Sequence, residues 1–318
     1  MKLSKILLTS TTLLLSCSYG AGQQQDEPVH TLRVLSKPTE APRVKGSLNG
    51  APEVVLGIDT GSTSSILRPE VFGWAGIERK SLVGSDGRAI IKYPDGRTAL
   101  GGYVRTLVFG DTGLRNIPFV EASRDVEVVL VQHKVQGLLG LNLLKHFVTL
   151  FDPKRSELRL MPEPHLSAQR VAELGFVVSD RVRLEGAGET GLLQVTLRVK
   201  GPEGSEDCKF ILDTGTGMTE IPKSAADRLG LRRTGALHEV YTERGLYRTA
   251  EVNAMAINLG RATYLDLKMI TNESPRASSG EVGLLGMDVM GRQKFLLDVK
   301  GQSLYLDPSV TLGVSGKD

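Results

Sequence analysis

Apolar and polar positions alternate in short runs along most of the chain, with Gly, Pro and Asn between them. Val44 to Leu48 alternates and ends at Asn49-Gly50, and Leu192 to Val199 alternates into the polar stretch 200–207. Asn-Gly after an apolar run predicts a hairpin. Two runs are almost continuously apolar, Val54-Val55-Leu56-Gly57-Ile58 and Phe210-Ile211-Leu212, as expected of strands covered on both faces. Short helices are predicted around Pro69–Ile77 and Pro222–Leu229, each with proline near its start. Turn residues place further hairpins at Tyr93-Pro94-Asp95-Gly96 and Thr242-Glu243-Arg244-Gly245. Val29 to Leu35 alternates weakly and reads as a strand. The pattern predicts an all-β chain, mainly strands with short helices.

The pattern also occurs twice. Ile58-Asp59-Thr60-Gly61-Ser62 has a partner in Leu212-Asp213-Thr214-Gly215-Thr216, and Gly137-Leu138-Leu139-Gly140-Leu141-Asn142 in Gly283-Leu284-Leu285-Gly286-Met287-Asp288. Phe151-Asp152 with Leu158-Arg159-Leu160 returns as Leu297-Asp298 with Leu304-Tyr305-Leu306. From Asp59 to Gly137 is 78 residues, and from Asp213 to Gly283 is 70. Motifs kept in order at similar spacing indicate a duplicated unit. Each unit reads as a small lobe: a hairpin, the strand carrying the aspartate, a short helix, a second hairpin, two strands, the Gly-Leu-Leu-Gly segment, a short helix and a closing hairpin. Asp152 and Asp298 are expected to open the closing hairpins, and Asp288 to cap a short helix. The expected division is 28–164 and 165–318, with the linking stretch at Met161 to Arg170.

Composition narrows the function classes. Thirty-nine basic and 36 acidic side chains leave a net charge of +3, too balanced for a nucleic-acid-binding surface. Met1-Lys2-Leu3-Ser4-Lys5 is basic, and Ile6 to Leu15 is an apolar stretch shorter than a membrane span. That layout predicts an export signal within residues 1–20. Leu14-Leu15-Ser16-Cys17 resembles a bacterial lipobox, in which Cys17 would carry lipid and anchor the chain to a membrane; cleavage near Ser18-Tyr19-Gly20-Ala21 is the other reading. The expected location is the bacterial periplasm, free or anchored to the outer membrane. The second cysteine, Cys208, lies in an apolar run and reads as a small buried side chain. Two cysteines make no metal cluster, and His30, His133, His146, His165 and His238 have no zinc-ligand spacing. No cofactor or metal is expected.

The paired aspartates carry the candidate chemistry. Hydrolysis of a peptide needs an activated water and a protonated leaving amine. Two carboxyls that share one proton supply both, one as base and one as acid. Asp59-Thr60-Gly61-Ser62 and Asp213-Thr214-Gly215-Thr216 resemble the catalytic loops of aspartic proteases, with short retropepsin-like lobes held in one chain as in pepsins. The resemblance spans roughly residues 40 to 307. It implies two six-stranded psi-loop β lobes related by a pseudo-twofold axis, a cleft that takes an extended polypeptide, and a monomer. It implies that Asp59 and Asp213 are catalytic. Thr60 and Thr214 are expected to lock the loops together, Gly61 and Gly215 to permit close approach, and Ser62 and Thr216 to donate to their aspartates. An acidic pH optimum follows from those donors. The chain departs from the family in lacking pepsin-type disulfides and in placing Gly217 where a side chain is common. Tyr93, Gly96, Tyr241 and Gly245 are candidate flap residues. The reading is an aspartic endopeptidase; the alternative is a weakly active or inactive protease-fold scaffold of the cell envelope.

Two other motifs are set aside. Asp111-Thr112-Gly113 lacks the apolar strand and reads as a surface hairpin turn. Gly186-Ala187-Gly188-Glu189-Thr190-Gly191 has dinucleotide-site spacing, but the alternating Leu192 to Leu197 predicts a strand where that site needs a helix.

Overall fold

A computed structural model describes residues 29–82, 98–110, 112–163, 166–186, 191–235, 237–242, 245–273, 282–307 and 314–315. The protein is mostly strands, arranged in three sheets among these residues. Six short helices accompany them: α1 (Pro69–Trp74), α2 (Arg124–Gln132), α3 (Leu141–Leu144), α4 (Ala168–Glu173), α5 (Lys223–Arg228) and α6 (Met287–Met290).

The first sheet is built on the duplicated pattern. Arg43–Leu48 pairs antiparallel with Glu53–Ile58. Asn49 (φ 52°) and Gly50 (φ 77°) turn the chain between them, the left-handed pair that matches strand twist. The strand Gly137–Leu139 then inserts parallel beside Glu53–Ile58 and antiparallel to Ile66–Leu67. It therefore runs between the strand entering the Asp59 loop and the strand leaving it. The second half repeats this, with Gly204–Leu212 parallel to Val282–Leu285 and Glu220 bridged to Leu284. Crossing so tightly explains the glycines. A Cβ on Gly137 would stand 2.3 Å from the Ile66 carbonyl oxygen, and one on Gly283 2.2 Å from that of Glu220, closer than real contacts allow.

The third sheet joins the halves. Its order is His30–Arg33, Glu157–Met161, Val148–Asp152, Phe295–Asp298, Ser303–Leu306, Val182–Arg183. The central seam pairs Phe151 with Phe295, whose rings stack at 5.1 Å. One hydrophobic core runs through both halves, from Val44 and Leu56 to Phe210 and Leu285. Cys208 lies in it, as its apolar run predicts.

Several expectations change. Seven strands form the first sheet and eight the second among the described residues, more than six per lobe. Two-residue edge strands account for part of the excess. Asp288 does not cap α6; Gly286 holds the cap position, and the Asp288 carboxylate accepts from Thr219 N and Thr219 Oγ1. The peptide of a crossing glycine leaves no room for a side-chain cap there. α2 was not among the expected elements: Val126, Val128, Val129 and Val131 are residues that favour strands, yet Ser123 accepts from Val126 N and starts a helix. Asp152 and Asp298 do turn the closing hairpins, by accepting from Arg155 N and Gly301 N. Thr112 and Gly113 enter a strand paired back on Leu100–Phe109, with Gly110 at φ 57°, so the described part of the third Asp-Thr-Gly opens the second strand of a hairpin; Asp111 lies outside the described residues. Leu193–Gly201 is a strand, which removes the dinucleotide-site reading.

Candidate active site

The two Asp-Thr-Gly loops face each other across the pseudo-twofold axis. Each is held from behind in the same way. Asp59 N donates to Leu139 O and Asp213 N to Leu285 O, both at 3.0 Å. Past the glycine crossing, Leu141 N donates to Ser62 O and Met287 N to Thr216 O. Ser65 Oγ accepts from Gly140 N and binds Asn142 Oδ1; Thr219 Oγ1 accepts from Gly286 N and binds Asp288 Oδ1. Asn142 and Asp288 thus do the same work in the two lobes. Burial pushes the Asp288 carboxyl up from the ordinary carboxylate range, against the pull of its Thr219 hydrogen bonds.

The threonines interlock. Thr60 N donates to Thr214 Oγ1 at 3.0 Å, and Thr214 N to Thr60 Oγ1 at 3.0 Å. Thr60 Oγ1 donates to Leu212 O at 2.7 Å, and Thr214 Oγ1 to Ile58 O at 2.8 Å. All four bonds are buried. They tie the residues on both sides of each aspartate to the opposite loop.

Each carboxyl is oriented by its own loop and packed on the other. Gly61 N donates to Asp59 Oδ1 and Gly215 N to Asp213 Oδ1, both at 2.8 Å. A Cβ on Gly61 would stand 2.5 Å from Asp213 Cγ, and one on Gly215 2.6 Å from Asp59 Cγ. Both glycines must therefore lack a side chain for the carboxyls to sit where they do. The hydroxyls of Ser62 and Thr216 act differently from expectation. They donate to Ser64 O and Met218 O, two residues on. Each loop bends back on itself there, which points the hydroxyl into the bend, and the backbone amides of Gly61 and Gly215 take the donor role instead.

A cavity of about 320 Å³ opens beside Asp59. Ile58, Val129, Leu130, Val135 and Leu138 give it an apolar wall, and Gly215 and Gly217 reach it from the second loop. Glu40, Arg43, His133 and Lys134 also line it. Burial, with Arg43 nearby, lowers the His133 pKa. Sequence reasoning missed this wall because α2 was not foreseen; Ser123 before an acidic first turn, Asp125 and Glu127, was its signal.

Of the candidate flaps, Tyr93 and Gly96 lie outside the described residues. Tyr241 and Gly245 sit in a hairpin, with Tyr241 opposite Leu246 and Thr242 opposite Gly245. The strand His238–Thr242 of that hairpin reaches α2 of the first lobe. Cys17 also lies outside the described residues.

Residues 200–292 match the family model of the gag-polyprotein putative aspartyl protease. The matched stretch contains the second Asp-Thr-Gly loop and the second Gly-Leu-Leu-Gly segment. The chain has no match among curated proteins.

Proposed function

We propose, starting from the retropepsin-like aspartic-protease resemblance of this chain, that it is an aspartic endopeptidase with Asp59 and Asp213 as its catalytic residues. The family match supports a protease in general; the dyad and the reaction are our reading. One observation carries it: each aspartate's carboxyl carbon stands within 2.6 Å of where the opposite loop's glycine would place a Cβ. Two carboxyls packed so symmetrically cannot both ionise easily, so the pair retains one proton.

In the proposed reaction the ionised carboxyl takes a proton from a water, and the water oxygen bonds to the peptide carbonyl carbon. The other carboxyl gives its proton to the carbonyl oxygen. The carboxyl that took the water's proton then gives it to the leaving nitrogen, and the other carboxyl takes one back from a hydroxyl of the tetrahedral diol as the C–N bond breaks, so the dyad returns to one shared proton. The reaction so written needs no metal. The substrate is an extended polypeptide, the protein acts as a monomer with both lobes in one chain, and the second-lobe hairpin covers the cleft. We also propose export through residues 1–20 with lipid on Cys17; mass spectrometry of the mature N-terminus in a membrane fraction tests this, and an unmodified chain starting beyond Cys17 contradicts it.

The test of function compares wild type with Asp59→Asn and Asp213→Asn on a mixed peptide library between pH 3 and 8. The expected result is cleavage by wild type, with an acidic optimum, and none by either variant. Binding without cleavage by all three would favour a scaffold.

A further inference from the structure

The sheet that joins the lobes gathers cations at one of its ends. The last row of residues there runs Met161, Val148, Asp298, Ser303, Arg183 from strand to strand. Lys145 and His146 come just before Val148, and Lys300 sits in the turn between Asp298 and Ser303. Arg181 reaches the same turn and donates to Gly301 O at 2.9 Å. Partial burial lowers the His146 pKa, and the charges of Lys145 and Lys300 lower it further, so both lysines stand near one ring. Lys145, Arg181, Arg183 and Lys300 are exposed, and none of the four forms an ion pair among the described residues. The acids nearby are engaged elsewhere. Asp180 pairs with Arg261 at 2.9 Å, Glu185 with Lys209 at 3.2 Å and Glu163 with Arg170 at 2.9 Å. Asp298 is buried and accepts from Gly301 N.

The chain enters the fold at this same end. His30 lies opposite Leu160, one residue in from Met161, and its ring meets the Phe147 ring edge-on at 5.9 Å. Val29 before it is exposed. Eleven residues (18–28) separate Val29 from Cys17; as a flexible tether they average about 20 Å end to end. A lipid on Cys17 would therefore hold this end of the sheet close to a membrane. Asp26 and Glu27 are the acids within those eleven residues, two against four cations.

We propose that this end of the joining sheet is a docking face for an anionic phospholipid surface, with Lys145, Arg181, Arg183 and Lys300 meeting the headgroups. The inference goes beyond the peptidase reading and does not rest on it. From Val148 to Arg183 is three strand spacings, about 14 Å, too wide for a single phosphate and suited to an array of headgroups. Each cation held near such a surface strengthens partitioning about fivefold, and the attraction fades within a Debye length. α3 begins where Leu141 N holds Ser62 O and ends before Lys145, so contact through Lys145 comes from behind the first aspartate loop.

Vesicle binding tests this. The exported chain carrying Cys17→Ala, isolated after signal removal, cannot be lipidated, so its binding reads the protein surface alone. It is mixed with vesicles of phosphatidylcholine, or of three parts phosphatidylcholine to one part phosphatidylglycerol, and the bound fraction is measured by sedimentation. Binding should be confined to the anionic vesicles and should fall as salt is raised. Lys145→Gln/Lys300→Gln should weaken it about 25-fold. Lys45→Gln/Lys80→Gln, which removes equal charge from lysines paired with Glu53 and Glu78, should leave it unchanged. Both double variants should keep the wild-type Tm and the wild-type kcat/KM on a soluble peptide. No binding, equal binding to both vesicles, or equal weakening by the two double variants overturns the membrane face. Release by inorganic phosphate at constant ionic strength also overturns it and marks a site for a free anion. A chain that cleaves no peptide, or a wild-type Cys17 without lipid, counts against those readings alone, because the bound fraction depends on neither.

Discussion

Thr214→Val should separate the loops from each other without altering the core. The substitution keeps the side chain's shape and removes one hydroxyl. That hydroxyl donates to Ile58 O at 2.8 Å and accepts from Thr60 N at 3.0 Å, and both Thr60 and Thr214 are almost fully buried. Two bonds are lost, and two backbone groups are left buried without partners. A buried group deprived of its partner costs about 1–3 kcal/mol, so the expected loss is about 3 kcal/mol. Thr60→Val removes the equivalent pair, to Leu212 O and from Thr214 N, and should cost a similar amount. All four bonds run through these two threonines, which bond each other directly, so the double variant should lose less than the sum of the singles. The assay is urea unfolding with linear extrapolation, paired with kcat/KM on one cleaved peptide. Thr214→Ser, which keeps the hydroxyl, should recover most of both. If Thr214→Val lies within about 0.5 kcal/mol of wild type, the range typical of inconsequential substitutions, the interlock is not what holds the loops.

Other expectations follow from single contacts. Gly61→Ala would put a methyl 2.5 Å from Asp213 Cγ; displacing a catalytic group by about 1 Å can cost about 10²-fold in rate, so kcat/KM should fall on that scale, and unchanged kinetics would contradict the packing. Asp288 has a carboxyl raised by burial. Such a group contributes stability fully below its unfolded pKa of about 3.9, and that contribution is lost as pH rises through the folded value. Asp288→Asn, which copies Asn142, should therefore match wild type in Tm near pH 3 and exceed it increasingly toward pH 7; an equal or lower Tm at pH 7 refutes this. Burial, reinforced by the Glu206 charge, pushes the Cys208 thiol up to about 11. At pH 8 iodoacetamide should label the folded chain far more slowly than the urea-unfolded one, because the thiolate is the nucleophile; equal rates would contradict the burial.

The duplicated motifs were legible because their chemistry is local. Asp-Thr-Gly needs a tight loop, and Gly-Leu-Leu-Gly needs two glycines where one strand crosses another, so both leave marks in residue type. The threonine interlock followed from the same marks, since each hydroxyl has only the opposite loop to reach. What the pattern could not carry was anything decided by distant packing. The closing hairpins at Asp152 and Asp298 were foreseen one by one, but nothing in either announces that Phe151 and Phe295 stack in one shared sheet. α2 was hidden because four valines favour a strand, and the Ser123 cap with tertiary packing outweighs that preference. Ser62 and Thr216 were misjudged for a related reason: a hydroxyl beside a carboxylate looks like its donor, yet the bend of each loop offers a carbonyl first.

The account turns on one proton held between two carboxyls. Neutron diffraction from a crystal grown near pH 5 measures this directly. The prediction is facing oxygens of Asp59 and Asp213 about 3 Å apart, one deuteron between them, and one water bound to both. Two carboxylates standing apart, each with its own solvent, would contradict it.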